Sequence, residues 1–392
     1  MKICGIICEY NPFHNGHAYL LQKVRKESGC DAIVCIMSGN FTQRGEAAIF
    51  DKYTRAIHAV KGGADIVLEL PSVFAISPAE IFAFGGVRLL NSIPGFEKLA
   101  FGCEIADKQL FVSAAELSLH EEHGFKTILR KHLKSGKSLP RAKLEALSEI
   151  GAEKEAELMR KPNNILGVEY QKALLRTQSS AQIFPVRREG ADFTDTGIYK
   201  NFSSATAIRN AVRSGKFRAA KKNVPPFVAD DFDFAANDII FKKIALFSAL
   251  TSSTDRLRKI TDCSEGLENR IYALAKVNSD FDQFISKATT KRYISSRIQR
   301  ILTASVLGIE SELVQRCLRV PLYLRVLATK KECTDMLLST LKNADFPLLT
   351  RRSDLSKLNK TAAEANEKDV LAADIYSLIS GTPPIDERMR IV

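Results

Sequence analysis

The sequence predicts an α/β protein: a doubly wound parallel sheet, a helical insertion before its last strand, and a helical C-terminal domain. Three observations predict it. Five short, nearly continuous apolar runs recur in the first half with helical patterns between them, as strands buried on both faces require. A Lys- and Glu-rich helical stretch, 105–160, interrupts that alternation. From Ile240 to Val392 the apolar residues follow a 3.6-residue period with little strand signal. At 392 residues the chain exceeds one compact core. The expected division is 1–230, holding the sheet and the insertion, and 231–392, a helical domain.

The elements follow in order. Residues 3–8 (Ile-Cys-Gly-Ile-Ile-Cys) form the first strand, and Ala18 to Val24 begin the helix after it. Residues 32–37 are the second strand. The 51–61 segment is amphipathic, with Tyr53, Ile57 and Val60 on one side, and stops at Gly62-Gly63. The third strand is 65–70, the fourth 97–102 and the fifth 182–186, joined by right-handed crossovers. At 221–233 a proline pair and an acidic cluster break the pattern and mark the boundary. "RYISSRIQRILTASVLGI" (292–309) is the most regular helical stretch beyond it.

The formal net charge of +12 favours a polyanionic partner. Three basic blocks are free of acids: Lys126, Arg130, Lys131, Lys134, Lys137, Arg141 and Lys143; then Lys200, Arg209, Arg213, Lys216, Arg218, Lys221 and Lys222; then Lys287, Lys291, Arg292, Arg297 and Arg300. Singly, such a block is a solvated helix face; three together point toward RNA or DNA. The eight cysteines form no CxxC pair, which is the usage of a reducing cytosol and not a disulfide framework. No apolar stretch reaches the ~18 residues a membrane span needs, and the N-terminal run is too short for a signal peptide. A cytoplasmic protein without a membrane partner is expected.

The chemistry centres on "EYNPFHNGHAYLL" (9–21), where a strand, a tight turn and a helix meet at two histidines. In an open α/β sheet, ligands bind beyond the carboxyl ends of the strands. A helix N-terminus there favours an anion, and Gly16 permits close backbone approach. His14 and His17 can both face one phosphate and donate to charge developing on it. Zinc ligation by the HxxH pair is the rival reading, and it lacks third and fourth ligands at suitable spacing. A second constellation, "FSSATAIR" (202–209), places hydroxyls and an arginine at a helix start. Ser203 or Ser204 can cap that helix while Arg209 reaches phosphate oxygens.

Together these pieces resemble the signatures of the nucleotidylyltransferase superfamily. Its HxGH motif matches His14-Asn15-Gly16-His17. Its second signature, roughly ISSSTxxR, matches Phe202 to Arg209, with Phe202 for Ile and Ala205 for Ser. The alanine removes one phosphate-facing hydroxyl. Further blocks, "MSGNFTQRGEAAIFDKYTRAIHAVKGGADIVLELP", "FAFGGVRLLN", "LAFGCE", "PNNILGVEY" and the 292–309 stretch, are similar to the tRNA(Met) cytidine acetate ligase family.

That resemblance implies a Rossmann-like nucleotidylyltransferase core. It implies activation of acetate by ATP, giving acetyl-adenylate and pyrophosphate, then acetylation of N4 of the wobble cytidine of elongator tRNA(Met). It assigns to the ATP site Ile7, Cys8, Glu9, Tyr10, Asn11, Pro12, Phe13, His14, Asn15, Gly16, His17, Ala18, Tyr19 and Leu20 of the first loop. Gly102, Asn163 or Asn164, and Arg188 (with Arg187 as the alternative) complete it, beside Ser203 and Ser204. His14, His17 and Arg209 would be catalytic, Mg²⁺ would accompany ATP, and no protein-bound metal is implied. The mechanism needs positioning and charge stabilisation, so no nucleophile triad is required. Lys126 to Lys143 and Lys291, Arg292, Arg297 and Arg300 would track tRNA phosphates.

"SGNFTQRGE" (38–46) belongs on the same rim. There Asn40, Gln43 and Arg44 either contact acetate or the cytidine or form an ordinary polar loop. Glu80 is equally open, and Gly85-Gly86 serves either close packing or close approach of a ligand. Two other functions fit parts of the pattern. A small-molecule adenylyltransferase of coenzyme biosynthesis would share the motifs but not need the basic blocks. A non-catalytic ATP- and RNA-binding factor would not need both histidines and Arg209.

Overall fold

In the computed structural model, which describes residues 1–119, 123–137, 139–188, 203–236, 238–383 and 388–392, all five expected strands form. They are β1 (Ile3–Cys8), β2 (Ala32–Ser38), β3 (Ile66–Leu70), β4 (Phe96–Cys103) and β5 (Gln182–Arg187), all parallel, in the order β5-β4-β1-β2-β3. Pairings such as Cys8 with Met37, Ser38 with Leu70 and Gly102 with Val186 bring the carboxyl ends to one rim. Phe202 of the second motif and Lys200 lie outside the described residues.

The sheet is covered on both faces because side chains alternate along each strand. Ile3, Ile7, Val34, Ile36 and Leu68 enter one apolar cluster. They meet α3 (Ser72–Ala75), α4 (Ala79–Asn91), α5 (Lys108–Leu119) and α9 (Pro162–Arg176), whose Phe74, Val87, Phe111 and Tyr170 are buried there. Cys4, Ile6, Cys35, Met37 and Val67 enter the other, with α1 (Asn15–Glu27), α2 (Lys52–Lys61) and α10 (Ala205–Arg213). Gly86 lets α4 close on β1, since a Cβ there would stand 2.6 Å from Ile7 Cδ1. The Gly85-Gly86 pair serves packing. Between β4 and α9 the insertion adds α6 (His123–Lys134), α7 (Leu139–Glu149) and α8 (Glu153–Leu158).

Past β5 come α11 (Phe217–Lys221) and α12 (Pro226–Ala229). The expected boundary segment is packed down: Val228 and Phe232 are buried in the second cluster, and His58 Nε2 lies 2.7 Å from Asp231 Oδ2. The rest is mainly helical, with α13 (Ile239–Thr251), α14 (Thr254–Arg258), α15 (Leu267–Ala275), α16 (Phe281–Ala288), α17 (Ser295–Leu307), α18 (Ser311–Cys317), α19 (Thr334–Lys342) and α20 (Lys360–Ser380).

Three strands depart from the helical expectation. β6 (Leu324–Thr329) adds antiparallel to β3, and β7 (Leu348–Leu349) and β8 (Arg390–Ile391) pair with β6. Leu-Arg-Val-Leu-Ala-Thr, six residues inside a helical region, is too short to assign from periodicity. It becomes a strand because the open edge of β3 offers backbone partners. The first apolar cluster therefore runs unbroken from the sheet into the C-terminal helices. No helix among the described residues is long and apolar enough to cross a membrane.

Candidate active site

The rim site is built from the end of β1. Directly after it, Asn11 Oδ1 accepts the Ile49 N–H at 2.8 Å, tying the turn to the loop that follows β2. Arg55 of α2, fully buried, clamps both strand ends. Its guanidinium donates to the carbonyls of Glu9 (2.6 Å), Ser38 (3.1 Å), Phe50 (3.0 Å) and Gly39. Burial lowers its pKa. Nothing in the local pattern marked Arg55, which reads as one polar residue of an amphipathic helix.

His14 is the N-cap of α1. Its Nδ1 accepts the Gly16 N–H at 3.1 Å, and His17 Nδ1 accepts the His14 N–H at 3.3 Å, a reciprocal capping box. The rings stack, with centroids 3.6 Å apart and planes 18° from parallel. Burial pushes the His14 pKa down to about 3, with the Arg188 charge adding to it. Burial, then His14, then Arg188 hold His17 well below its usual value. Both imidazoles are therefore neutral near pH 7. Since each Nδ1 accepts a backbone N–H, each ring carries its proton on Nε2. The cap thus presents two neutral N–H donors on the ring edges opposite the helix.

The second motif meets the first. Ser204 is the N-cap of α10 and accepts the Ala207 N–H at 3.1 Å. Arg209, nearly buried, donates from Nη1 to the Asn11 carbonyl at 2.7 Å, and from Nη2 to Thr206 Oγ1 at 3.3 Å. Glu46 stands 3.5 Å from it, and its Nε has no partner among the described residues. Asn223 joins the two motifs: its carbonyl accepts Asn15 N–H (3.0 Å) and its Oδ1 accepts Ser203 N–H (2.9 Å). Sequence reasoning missed Asn223, which lies in the segment read as a domain boundary.

Beyond β4 and β5, Gly102 faces Arg188, whose Cγ would stand 3.3 Å from a Cβ at that position. Arg188 is half-buried and acts electrostatically on both histidines, whereas Arg187 is exposed. Asn164 is fully buried. Its Oδ1 accepts the N–H groups of Glu104 (2.9 Å) and Ile105 (3.3 Å), while its Nδ2 has no partner among the described residues. Asn163 donates instead to Glu104 Oε1 at 2.6 Å.

Within Ile7 to Leu20, the structure separates packing from display. Ile7, Tyr10, Pro12, Phe13 and Leu20 are buried, whereas Cys8, Glu9, Asn15, Gly16, His17, Ala18 and Tyr19 are half-buried at the rim. Glu9 Oε1 accepts the Gln43 N–H at 2.6 Å, and burial raises its pKa.

The loop after β2 is bonded into the frame at several points. Asn40 Oδ1 accepts Lys52 N–H at 2.7 Å, and Gln43 Nε2 donates to the Ser77 carbonyl at 3.3 Å. Gly45 (φ 74°) abuts α17, where a Cβ would meet Arg300 N at 2.4 Å. Glu80 pairs with Arg176. In the third basic block Lys287, Lys291 and Arg292 are exposed, and the three arginines are ion-paired. Arg292 pairs with Glu265 (3.1 Å), Arg297 with Asp262 (3.1 Å), and Arg300, almost buried, with Asp262 (3.3 Å). Among the described residues no group of His, Cys, Asp and Glu could hold a metal.

The model of the HIGH Nucleotidyl Transferase family matches residues 1–388. A tRNA(Met) cytidine acetate ligase of Clostridium acetobutylicum is 35% identical over 405 aligned positions, covering 100% of this chain and 99% of its own. One from Caldanaerobacter subterraneus subsp. tengcongensis is 37% identical over 387, covering 96% and 95%. The crystal structure of apo Thermotoga maritima TmcAL matches at a TM-score of 0.93 and 32% identity over the whole of both chains. The same protein bound with alpha-thio ATP matches at 0.89 and 31%, again over both whole chains.

Proposed function

Because this chain belongs to the HIGH Nucleotidyl Transferase family, and within it to the tRNA(Met) cytidine acetate ligases, we propose that it activates acetate with ATP and acetylates N4 of the wobble cytidine of elongator tRNA(Met). The observation that carries the reading is the histidine pair. Two stacked, neutral imidazoles cap a helix at the carboxyl rim, with Arg188 and Arg209 beside them.

In the first step a carboxylate oxygen of acetate attacks the α-phosphorus of ATP. The bond to the pyrophosphate leaving group breaks in line. Negative charge grows on the non-bridging α-oxygens, where Nε2–H donors of His14 and His17 stabilise it without a proton changing hands. Neutral donors suit this role, since they need no protonation at neutral pH. Arg209 and Arg188 hold the phosphate chain and the departing pyrophosphate. The unpartnered Nδ2 of Asn164 is a buried donor that a nucleotide acceptor would satisfy. In the second step the cytidine amine attacks the acetyl carbonyl, and AMP leaves. Mg²⁺ would accompany ATP on its phosphates, as part of the substrate.

The experiment is one incubation with ATP, Mg²⁺, labelled acetate and total bacterial tRNA, followed by nucleoside analysis. ATP-dependent label in N4-acetylcytidine is the expected result. Absence of label, with AMP and pyrophosphate formed when phosphorylated coenzyme precursors are supplied instead, would replace the reading with a small-molecule adenylyltransferase.

A further inference from the structure

We propose that the tRNA backbone lies along the basic edge formed by α11 and the turn after it, carried by Lys216, Arg218, Lys221 and Lys222. This rests on the tRNA reading above and names the surface that serves it. It also departs from the sequence expectation, which placed the phosphates on the other two basic blocks.

Ion pairing sorts the basic side chains. Around α17 the arginines are committed: Asp262 and Glu265 take up Arg292, Arg297 and Arg300. In the insertion, Glu145 takes up Lys137 and Arg141 (2.9 Å) and Glu149 stands 3.8 Å from Lys131, while Arg130 and Lys134 are exposed without an acidic partner among the described residues, so pairing alone does not decide between this block and α11. A cation already paired gains less from a phosphate, because it must first give up its carboxylate. In the second block Arg209 and Arg213 of α10 are also paired, with Glu46 (3.5 Å) and Asp238 (3.2 Å), and the cations without an acidic partner gather on and beside α11. Lys216, Arg218, Lys221 and Lys222 are all exposed, and none has an acidic partner among the described residues.

Position then singles the edge out. The Lys222 carbonyl accepts Asn15 Nδ2 at 3.3 Å, and the Asn223 carbonyl accepts Asn15 N–H at 3.0 Å. The basic turn is therefore bonded to the residue between the histidine cap and Gly16. A cytidine whose amine reaches an acyl-adenylate at His14 and His17 carries its own phosphodiester within one nucleotide's length. Cations that meet that phosphodiester must border the site, and these do. Phe217, 37% exposed, stands between Lys216 and Arg218. An aromatic side chain flanked by cations suits unstacked bases of a single-stranded loop, which present both a π-face and a backbone charge. Duplex recognition has no use for it.

The test is the triple variant Arg218→Ala/Lys221→Ala/Lys222→Ala. Acetyl transfer is measured against tRNA concentration at several KCl concentrations, with direct tRNA binding alongside. Acetate-dependent ATP–pyrophosphate exchange monitors the adenylation site, which the variant leaves intact. KM for tRNA should rise about tenfold or more at the lowest salt, with exchange unchanged. The slope of log affinity against log salt should fall by roughly 0.7–0.9 for each phosphate that the variant no longer neutralises. Arg292→Ala, whose charge is already paired, should change that slope little. Wild-type KM and slope in the triple variant, or a larger loss from Arg292→Ala, would overturn the proposal. Exchange without any transfer by the wild type would refute the tRNA acetylation reading, while the direct binding comparison still judges the edge.

Discussion

The neutrality of His14 makes a prediction that joins stability to catalysis. Burial holds its pKa at about 3 in the folded protein, against about 6.5 for an unfolded histidine. A depressed pKa contributes stability that is complete above about pH 6.5 and is lost as pH falls toward 3, because the unfolded chain takes up the proton first. Each unit is worth about 1.4 kcal/mol. Lowering the pH from 6.5 to 5.0 should therefore cost the native state about 2 kcal/mol through this group. Protonation would also put a proton on Nδ1 and break the Gly16 N–H bond that caps α1. His14→Asn keeps a capping oxygen but removes the titration and the Nε2–H donor.

Urea unfolding at pH 7.5 and 5.0 is the assay. The variant should lose about 2 kcal/mol less than the wild type over that interval. Acetate-dependent pyrophosphate exchange should fall by about 10²–10³ at both pH values, the cost of one transition-state donor. Equal pH sensitivity in the two proteins, or His14 titrating near 6.5 by NMR, would refute the neutral-donor argument.

The remaining predictions concern the frame and the nucleotide. Arg55→Met should destabilise the protein by about 3–5 kcal/mol in denaturant titration, since four backbone carbonyls, three of them in buried bonds, lose a shared donor; Arg55→Lys should recover little, because an ammonium cannot span them. Asn164→Asp keeps the acceptors for Glu104 and Ile105 N–H but deletes the unpartnered Nδ2, so ATP affinity measured by calorimetry should drop about tenfold with the fold intact. Asn163→Ala should change that affinity by less than about threefold. Gly45→Ala should cost about 1–3 kcal/mol, read as a lower urea midpoint, because φ is 74° and the new Cβ would strike the α17 backbone.

Much of the site was legible because its signals are local. His14 and His17 follow a strand and open a helix, so the capping box needs only residues three apart. Ser204 caps α10 by the same short-range logic. Which of Asn163 and Asn164 is buried was not legible, since one residue's difference in helix phase decides it. The same holds for Arg187 and Arg188, which alternate across a strand end. The ion pairing of the block at 287–300 was not legible for a different reason: its acids, Asp262 and Glu265, lie about thirty residues upstream and reach it only through the fold.

The sequence by itself determined the five strands, the helix after each motif, the HxGH turn, and the Ser-Ser-Ala-Thr cap with Arg209 one turn into its helix. These depend on side chains two, three or four residues apart, whose relation the backbone period dictates. Only the tertiary structure decided the Arg55 clamp on Glu9 and Ser38, the Asn223 bridge between Asn15 and Ser203, the addition of β6 to β3, and which basic side chains find a carboxylate. Most of these join residues tens to hundreds of positions apart. Their partners are chosen by which buried carbonyl, open strand edge or carboxylate the packed sheet leaves unsatisfied, and no local pattern in the chain encodes that choice.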